Sequence, residues 1–196
     1  VTAMKEKMDR NKILKSIQRN KIDVACMPGP FTPAKKEDDR IILFKEMVLQ
    51  TGGVCIETNS SEEVTSIIAE HFAGATEFRK REIIEEYPPS CSKQKLEKLK
   101  TVILKVQFGV AENGAIWIDD SNLPNRLIPF ICEELVVCLD SKQIVSNMHE
   151  AYIKIKDVKT GFGLFLSGPS KTSDIEQHLV YGAHGAKKVT VILVLS

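Results

Sequence analysis

The 196-residue chain has no Cys-x-x-Cys pair, although it carries five cysteines, Cys26, Cys55, Cys91, Cys132 and Cys138. That spacing argues against a zinc or iron–sulfur framework built from this chain alone. The odd count argues against a secreted disulfide scaffold, so reduced, mostly buried thiols in a cytoplasmic protein are expected. Net charge is nearly absent: 27 basic against 26 acidic side chains leave +1. A general nucleic-acid binder normally shows a basic excess. No apolar run approaches the roughly 20 residues that cross a bilayer. Met4 to Ile17 is charged throughout, unlike a signal peptide. Internal repeats, low-complexity linkers, a Gly-Lys-Ser/Thr phosphate loop and a flavin or nucleotide fingerprint are also missing. What remains has the composition of a globular domain long enough to bury a sizeable core.

Met4 to Gln18 reads as a charged helix with a thin stripe of Met4, Met8, Leu14 and Ile17. Such a stripe either packs loosely or docks on another subunit. Pro28-Gly29-Pro30 breaks the chain, and Thr32-Pro33 starts a helix to about Gln50 with Ile41, Phe44, Met47 and Val48 inward. Residues 1–31 are thus expected to be an N-terminal helix and linker, and 32–196 a single α/β domain. Thr51-Gly52-Gly53 stops the helix before a strand at Val54–Glu57. Ser60-x-x-Glu63 is a capping box ahead of Val64, Ile67, Ile68 and Phe72. Helix, strand, helix in alternation predicts a mostly parallel sheet covered by helices.

Residues 76–100 read as a mixed charge run and a proline loop, with Ser92 capping a short helix. Val102–Val110 and Ala115–Ile118 flank Glu112-Asn113-Gly114, a hairpin signal. Leu135–Leu139 is apolar throughout, as a strand buried on both faces would be. Met148, Ala151, Tyr152 and Ile155 form a helix stripe. Phe162–Leu166 is a strand, Ser173–Tyr181 a helix and Val189–Leu195 a last strand.

The stretch Ser167-Gly168-Pro169-Ser170-Lys171-Thr172-Ser173-Asp174-Ile175-Glu176 places a hydroxyl-rich loop between a strand and a capped helix. Backbone N–H groups and the positive helix end make such a loop an anion site, with donors from Ser170, Lys171 and Thr172. An ordinary capped turn is the plain alternative. The carboxyl end of a parallel strand, where open sheets bind ligands, favours the former. Gly168 and Asp174 belong to this candidate loop, and Asn113 to the neighbouring turn. Glu112, a carboxylate at a tight bend, is a candidate nucleophile, base or acceptor. His184, between Gly182-Ala183 and Gly185, is a candidate proton carrier. His71, His149 and His178 read as solvent-facing or structural. Arg126, in a proline-flanked loop, either clamps a carboxylate or stacks on a neighbour. Asp119 and Asp120 are weak candidates for a cation, and no metal site is expected.

Taken together, Phe108-Gly109-Val110-Ala111-Glu112-Asn113-Gly114-Ala115-Ile116-Trp117, Leu127-x-Pro129, Ser167-Gly168-Pro169-Ser170-x-Thr172-x-Asp174-Ile175-Glu176 and Gly182-x-His184-Gly185 resemble the LUD-domain family. The match is strongest over about residues 101–196. The family usually has Ala-Glu-Thr-Gly where this chain has Ala-Glu-Asn-Gly, and proline where Ala186 stands. The resemblance implies a three-layer α/β/α fold similar to the NagB/RpiA/CoA-transferase group. It also implies a cluster-free accessory role in oxidising L-lactate to pyruvate beside iron–sulfur protein subunits, with a small carboxylate or phosphate-bearing ligand. Glu112-Asn113-Gly114 further resembles the Glu-Asn-Gly turn of some CoA transferases, which implies a free-standing acyl or CoA transferase as the rival. A non-catalytic ligand-binding regulatory module is the third option.

Overall fold

Strands that are apolar at nearly every position have to be covered on both faces, and the centre of this molecule is built from them. The computed structural model describes residues 10–19, 37–121, 123–156, 161–173 and 179–195. The chain divides into two compact units, Val1–Thr32 and Pro33–Ser196. In the first, α1 (Arg10–Arg19) leaves Leu14 and Ile17 exposed. Met4, Met8, Cys26 and the Pro28–Pro30 and Thr32-Pro33 signals lie outside the described residues.

The second unit runs α2 (Glu37–Gln50), β1 (Val54–Thr58), α3 (Ser61–His71), β2 (Thr76–Glu77), α4 (Arg81–Glu86), α5 (Lys93–Leu96), β3 (Thr101–Lys105), β4 (Phe108–Val110) and β5 (Ala115–Asp119). It continues with α6 (Ile128–Ile131), β6 (Glu134–Asp140), β7 (Ile144–Val145), α7 (Met148–Ile155), β8 (Gly163–Leu166), β9 (Lys171–Ser173), β10 (Leu179–Tyr181) and β11 (Lys188–Val194). Five strands form a sheet in the order β1-β11-β6-β3-β2, and every pairing in it is parallel. The α/β class with a mostly parallel sheet is therefore what the molecule has. On one face of that sheet Ile103, Val136, Cys138 and Ile192 pack with Val64 of α3. On the other, Val102, Val137, Val191 and Leu193 pack with Phe44 and Val48 of α2 and with Ile116 and Ile118 of β5.

Those last two residues belong to a second, four-stranded sheet, β7-β4-β5-β8, which the sequence does not announce. Val102–Val110 reads as one β-rich run but splits between the sheets: β3 joins the parallel sheet and β4 the second one. The β4–β5 hairpin itself forms as expected, with Val110 opposite Ala115. The far face of the second sheet carries Phe108, Trp117 and Phe165 against Ala151 of α7.

Local signals set several helix ends. Ser60 accepts from the Glu63 N–H at 3.2 Å, and the Glu63 carboxylate answers on the Asn59 N–H at 3.1 Å. This is a capping box displaced by one residue. Gly53 N–H donates to the Val48 carbonyl and Gly52 N–H to that of Leu49, both at 2.9 Å. That pair closes α2 as a Schellman motif.

The expected Ser173–Tyr181 helix is not formed at its described ends. Lys171–Ser173 and Leu179–Tyr181 are antiparallel strands, with Lys171 opposite Tyr181 and Thr172 opposite Val180. The Ser173-x-x-Glu176 box is a local signal only, and β-branched and aromatic residues at Thr172, Val180 and Tyr181 favour pairing over it. Asp174, Ile175, Glu176 and His178 lie outside the described residues.

The described cysteines are unpaired; Cys132 and Cys138 are buried, Cys55 and Cys91 half-buried. Burial pushes the Cys132 thiol up to about 12, and those of Cys55 and Cys138 up to about 11. A thiol raised by folding favours the native state up to its ordinary value, 9.0, and loses that contribution as pH rises through the folded value. Unfolding free energy is therefore expected to be insensitive to these thiols below pH 9 and to fall from there towards pH 11 to 12. Denaturant titrations across that range check the slope. At neutral pH Cys132 and Cys138 should react with an aromatic disulfide reagent only after unfolding.

Candidate functional site

The carboxyl end of α2 gathers the motifs. Gly168 has φ +65°, and a Cβ there would stand 2.5 Å from the Thr51 carbonyl oxygen. Gly114 has φ +65° too, and its Cβ would stand 2.9 Å from the Val48 backbone nitrogen. Only a residue without a side chain fits either place. Lys171 Nζ donates to the Thr51 carbonyl, a cation set at the negative end of α2. Ser167 Oγ donates to the Asn113 carbonyl at 2.7 Å and ties the Gly-Pro-Ser loop to the hairpin turn.

The second assembly is centred on Ser170. Its N–H donates to the Ala186 carbonyl at 2.9 Å, and its carbonyl accepts from Gly182 N–H at 3.0 Å. Its Oγ accepts from the His184 N–H at 3.3 Å. A Cβ on Gly185 would lie 3.2 Å from that of Ser170. Two segments distant in sequence thereby become one surface. They line a cavity of about 280 Å³, whose polar groups include Ser167, Ser170, Lys171 and His184 and whose apolar ones include Phe130, Leu164, Leu166 and Val189.

This geometry corrects two expectations. The cavity is lined by Val189, near the start of β11, and by Gly185 and Ala186 just before that strand, so it lies at the amino ends of the parallel strands. The loop follows β8, which belongs to the second sheet and runs antiparallel to β5. The rule for open parallel sheets therefore does not reach it. Nor does a helix start follow Ser170, because β9 stands there. The N–H groups of Ser170, Gly182 and His184 are spent on the loop itself. What the loop leaves at the cavity are side chains: those of Ser170, Lys171 and His184.

Among the candidates, Gly168, Ser170, Lys171 and His184 come together. Thr172 is exposed in β9 and does not line the cavity. Glu112 is exposed and is not among the lining residues; its Oε2 accepts from the Met148 N–H at 2.8 Å, at the start of α7. Asn113 Oδ1 accepts from Ala115 N–H at 3.0 Å, closing the hairpin turn. Arg126 grips Asp120 through Nε at 3.0 Å and Nη2 at 2.7 Å, and lies 5.3 Å from the Phe162 ring. It both clamps and stacks, within its own chain. The hydrogen bond holds the Asp120 carboxyl below its usual range and the guanidinium above its own. This pair lines a different cavity of about 780 Å³ with Ile84, Pro88, Cys91 and Leu123. Asp119 is buried and receives Trp117 Nε1–H at 3.1 Å, Gln107 Nε2–H at 2.6 Å and Ser121 N–H at 2.9 Å. Among the described residues no group of three or more His, Cys, Asp or Glu is placed to hold a metal ion.

The sequence profile of the LUD domain matches residues 10–194. The chain belongs to the LUD domain family. Lactate utilization protein C of Anoxybacillus flavithermus is 24% identical over 180 residues, spanning 81% of this chain and 81% of that one. The protein of the same name from Shouchella clausii is 28% identical over 133 residues, 63% of this chain and 58% of that one. The crystal structure of a DUF162 family protein from Deinococcus radiodurans has a TM-score of 0.60 at 15% identity, covering 82% of this chain and 99% of that chain. That likeness shows a shared fold. No described helix of this LUD domain is long and apolar enough to cross a membrane.

Two residues of the site escaped sequence reasoning. Thr51 reads as part of a helix stop, yet its carbonyl anchors Lys171. Phe130 reads as the flank of a proline, yet it is 45% exposed and lines the cavity. An aromatic left on the surface is the signal for the second. For Thr51 no sequence signal exists, because the contact spans 120 positions.

Glu112 has a test of its own. As a helix-start acceptor it contributes about 0.5 kcal/mol. Glu112→Ala is expected to lower stability by that amount, and Glu112→Gln by less. Both variants should keep wild-type activity in a lactate-oxidation assay. Thermal melts beside that assay decide the matter, since loss of all turnover in the isosteric Gln variant would mark a nucleophile.

Proposed function

We propose that this LUD domain protein works in lactate utilization as a cluster-free subunit, holding a small anionic ligand in the Ser170–His184 cavity. The observation that carries the reading is the convergence of Gly168-Pro169-Ser170-Lys171 with His184-Gly185 on one cavity. The names of the relatives from Anoxybacillus flavithermus and Shouchella clausii support the pathway. In this reading Lys171 and His184 supply positive or proton-bearing groups, Ser170 a hydroxyl, and the apolar lining excludes water. Removing two electrons from a 2-hydroxy acid needs a redox group, which the reading assigns to iron–sulfur partner subunits. The described cysteines are scattered over β1, the Pro88–Ser92 loop, the end of α6 and β6, a poor fit to a cluster in this chain.

The acyl-transfer alternative needs Glu112 free to attack. Its acceptance of the Met148 N–H, and its place away from the Ser170–His184 lining, favour a structural role instead. The test is lactate-dependent dye reduction by the purified iron–sulfur partners with and without this chain. The expected result is reduction that requires the chain. Equal reduction without it would remove the subunit role.

A further inference from the structure

A three-carbon acid does not fill the Ser170–His184 cavity. Its volume of about 280 Å³ approaches the lower end of the range, roughly 300–1,000 Å³, in which proteins bind drug-sized molecules. Its lining is also of two kinds. Ser170, Lys171 and His184 are polar, and Phe130, Leu164 and Leu166 are apolar. Phe130 stands out, because it sits on the four-residue helix α6 with 45% of its surface exposed. Residues of that helix serve differently: Ile128 is fully buried and anchors it, while Phe130 is left beside the cavity. A half-exposed aromatic ring lining a cavity is apolar surface that a ligand can cover.

We infer that the cavity takes an anionic molecule that also carries a flat apolar group, the charge going to Ser170, Lys171 and His184 and the flat group to Phe130. The inference rests on the reading of this cavity as the ligand site. It assigns to the ligand a size and shape beyond lactate itself.

Calorimetric titration of the full chain with two matched pairs tests it: L-lactate against L-3-phenyllactate, and inorganic phosphate against phenyl phosphate. Burying a phenyl ring is worth a gain on the order of tenfold or more in affinity. At least one aryl member is expected to bind that much tighter than its partner. Phe130→Ala should erase the gain, and Phe130→Leu should retain part of it. Phe130 contributes little to the core, so both variants should fold, which a melt confirms. Lactate and phosphate each binding as tightly as its aryl counterpart would overturn the inference and leave the ligand-site reading standing. An aryl preference indifferent to both Phe130 substitutions would also overturn it. Failure of all four probes to bind would overturn the inference and the cavity's role as anion site together.

Discussion

Gly168→Ala is expected to be strongly destabilising for a change of a single methyl group. Two effects add. An L-residue at φ +65° costs about 1–2 kcal/mol. The new methyl would also stand 2.5 Å from the Thr51 carbonyl oxygen, a backbone atom that cannot swing aside. Relief requires the Gly-Pro-Ser loop to move off the end of α2, at a cost of about 1–3 kcal/mol. The sum, about 2–5 kcal/mol, corresponds to a fall in melting temperature of roughly 5–15 °C for a chain of this length. Ligand binding should suffer as well, because the same movement drags Ser170 and Lys171. Calorimetric melts and ligand titration of the variant check both. A variant with wild-type stability would mean that the loop does not press on Thr51 as described.

The second large effect concerns Asp119, which is 3% exposed. It is a hub for Trp117, Gln107 and Ser121. Asp119→Ala deletes one carboxylate and strands the buried Trp117 indole N–H, whereas half-buried Gln107 keeps the Ser121 hydroxyl as acceptor and Ser121 itself is exposed. A buried donor left unpaired costs about 1–3 kcal/mol, so a loss in that range is expected, most of it from Trp117. Asp119→Asn keeps an acceptor and should lose less. Chemical denaturation of the two variants, compared with wild type, measures the difference. Added magnesium or calcium should leave the melting temperature of the wild-type chain unchanged, because the carboxylate already serves protein donors. Equal stability of Asp119→Ala and wild type would contradict the hub.

The parallel sheet was legible because its strands advertise themselves: Leu135–Leu139 and Val189–Leu195 are apolar at nearly every position, and β6 and β11 lie side by side at the centre. Ser60, Ser92 and Gly52 marked helix ends by local chemistry that depends on few distant contacts. The failures have a common cause. Ser173 carries a capping signal, but the pairing of Leu179–Tyr181 with Lys171–Ser173 is a contact between separated segments, and it outweighs the local preference. The split of Val102–Val110 between two sheets is likewise decided by which strands come alongside, β6 for one half and β5 for the other.

At the site, Gly168, Ser170, Lys171 and His184 were visible as motif residues, and the structure brings them to one cavity. Arg126 was visible for its chemistry, but its acceptor, Asp120, is six residues away and satisfies it internally. Glu112 was visible as an isolated carboxylate. Its partner, the Met148 N–H, lies 36 positions on and can be seen only in three dimensions.

The most direct test of the shared cavity is a double-mutant cycle on Ser170→Ala and His184→Ala, read in lactate-dependent dye reduction with the iron–sulfur partners present. Residues that hold one ligand together are coupled, so the double variant should lose much less than the product of the two single losses. Glu112→Gln, measured in parallel, should behave as wild type. Independent losses that multiply, or full activity in both single variants, would contradict a site built from Ser170 and His184.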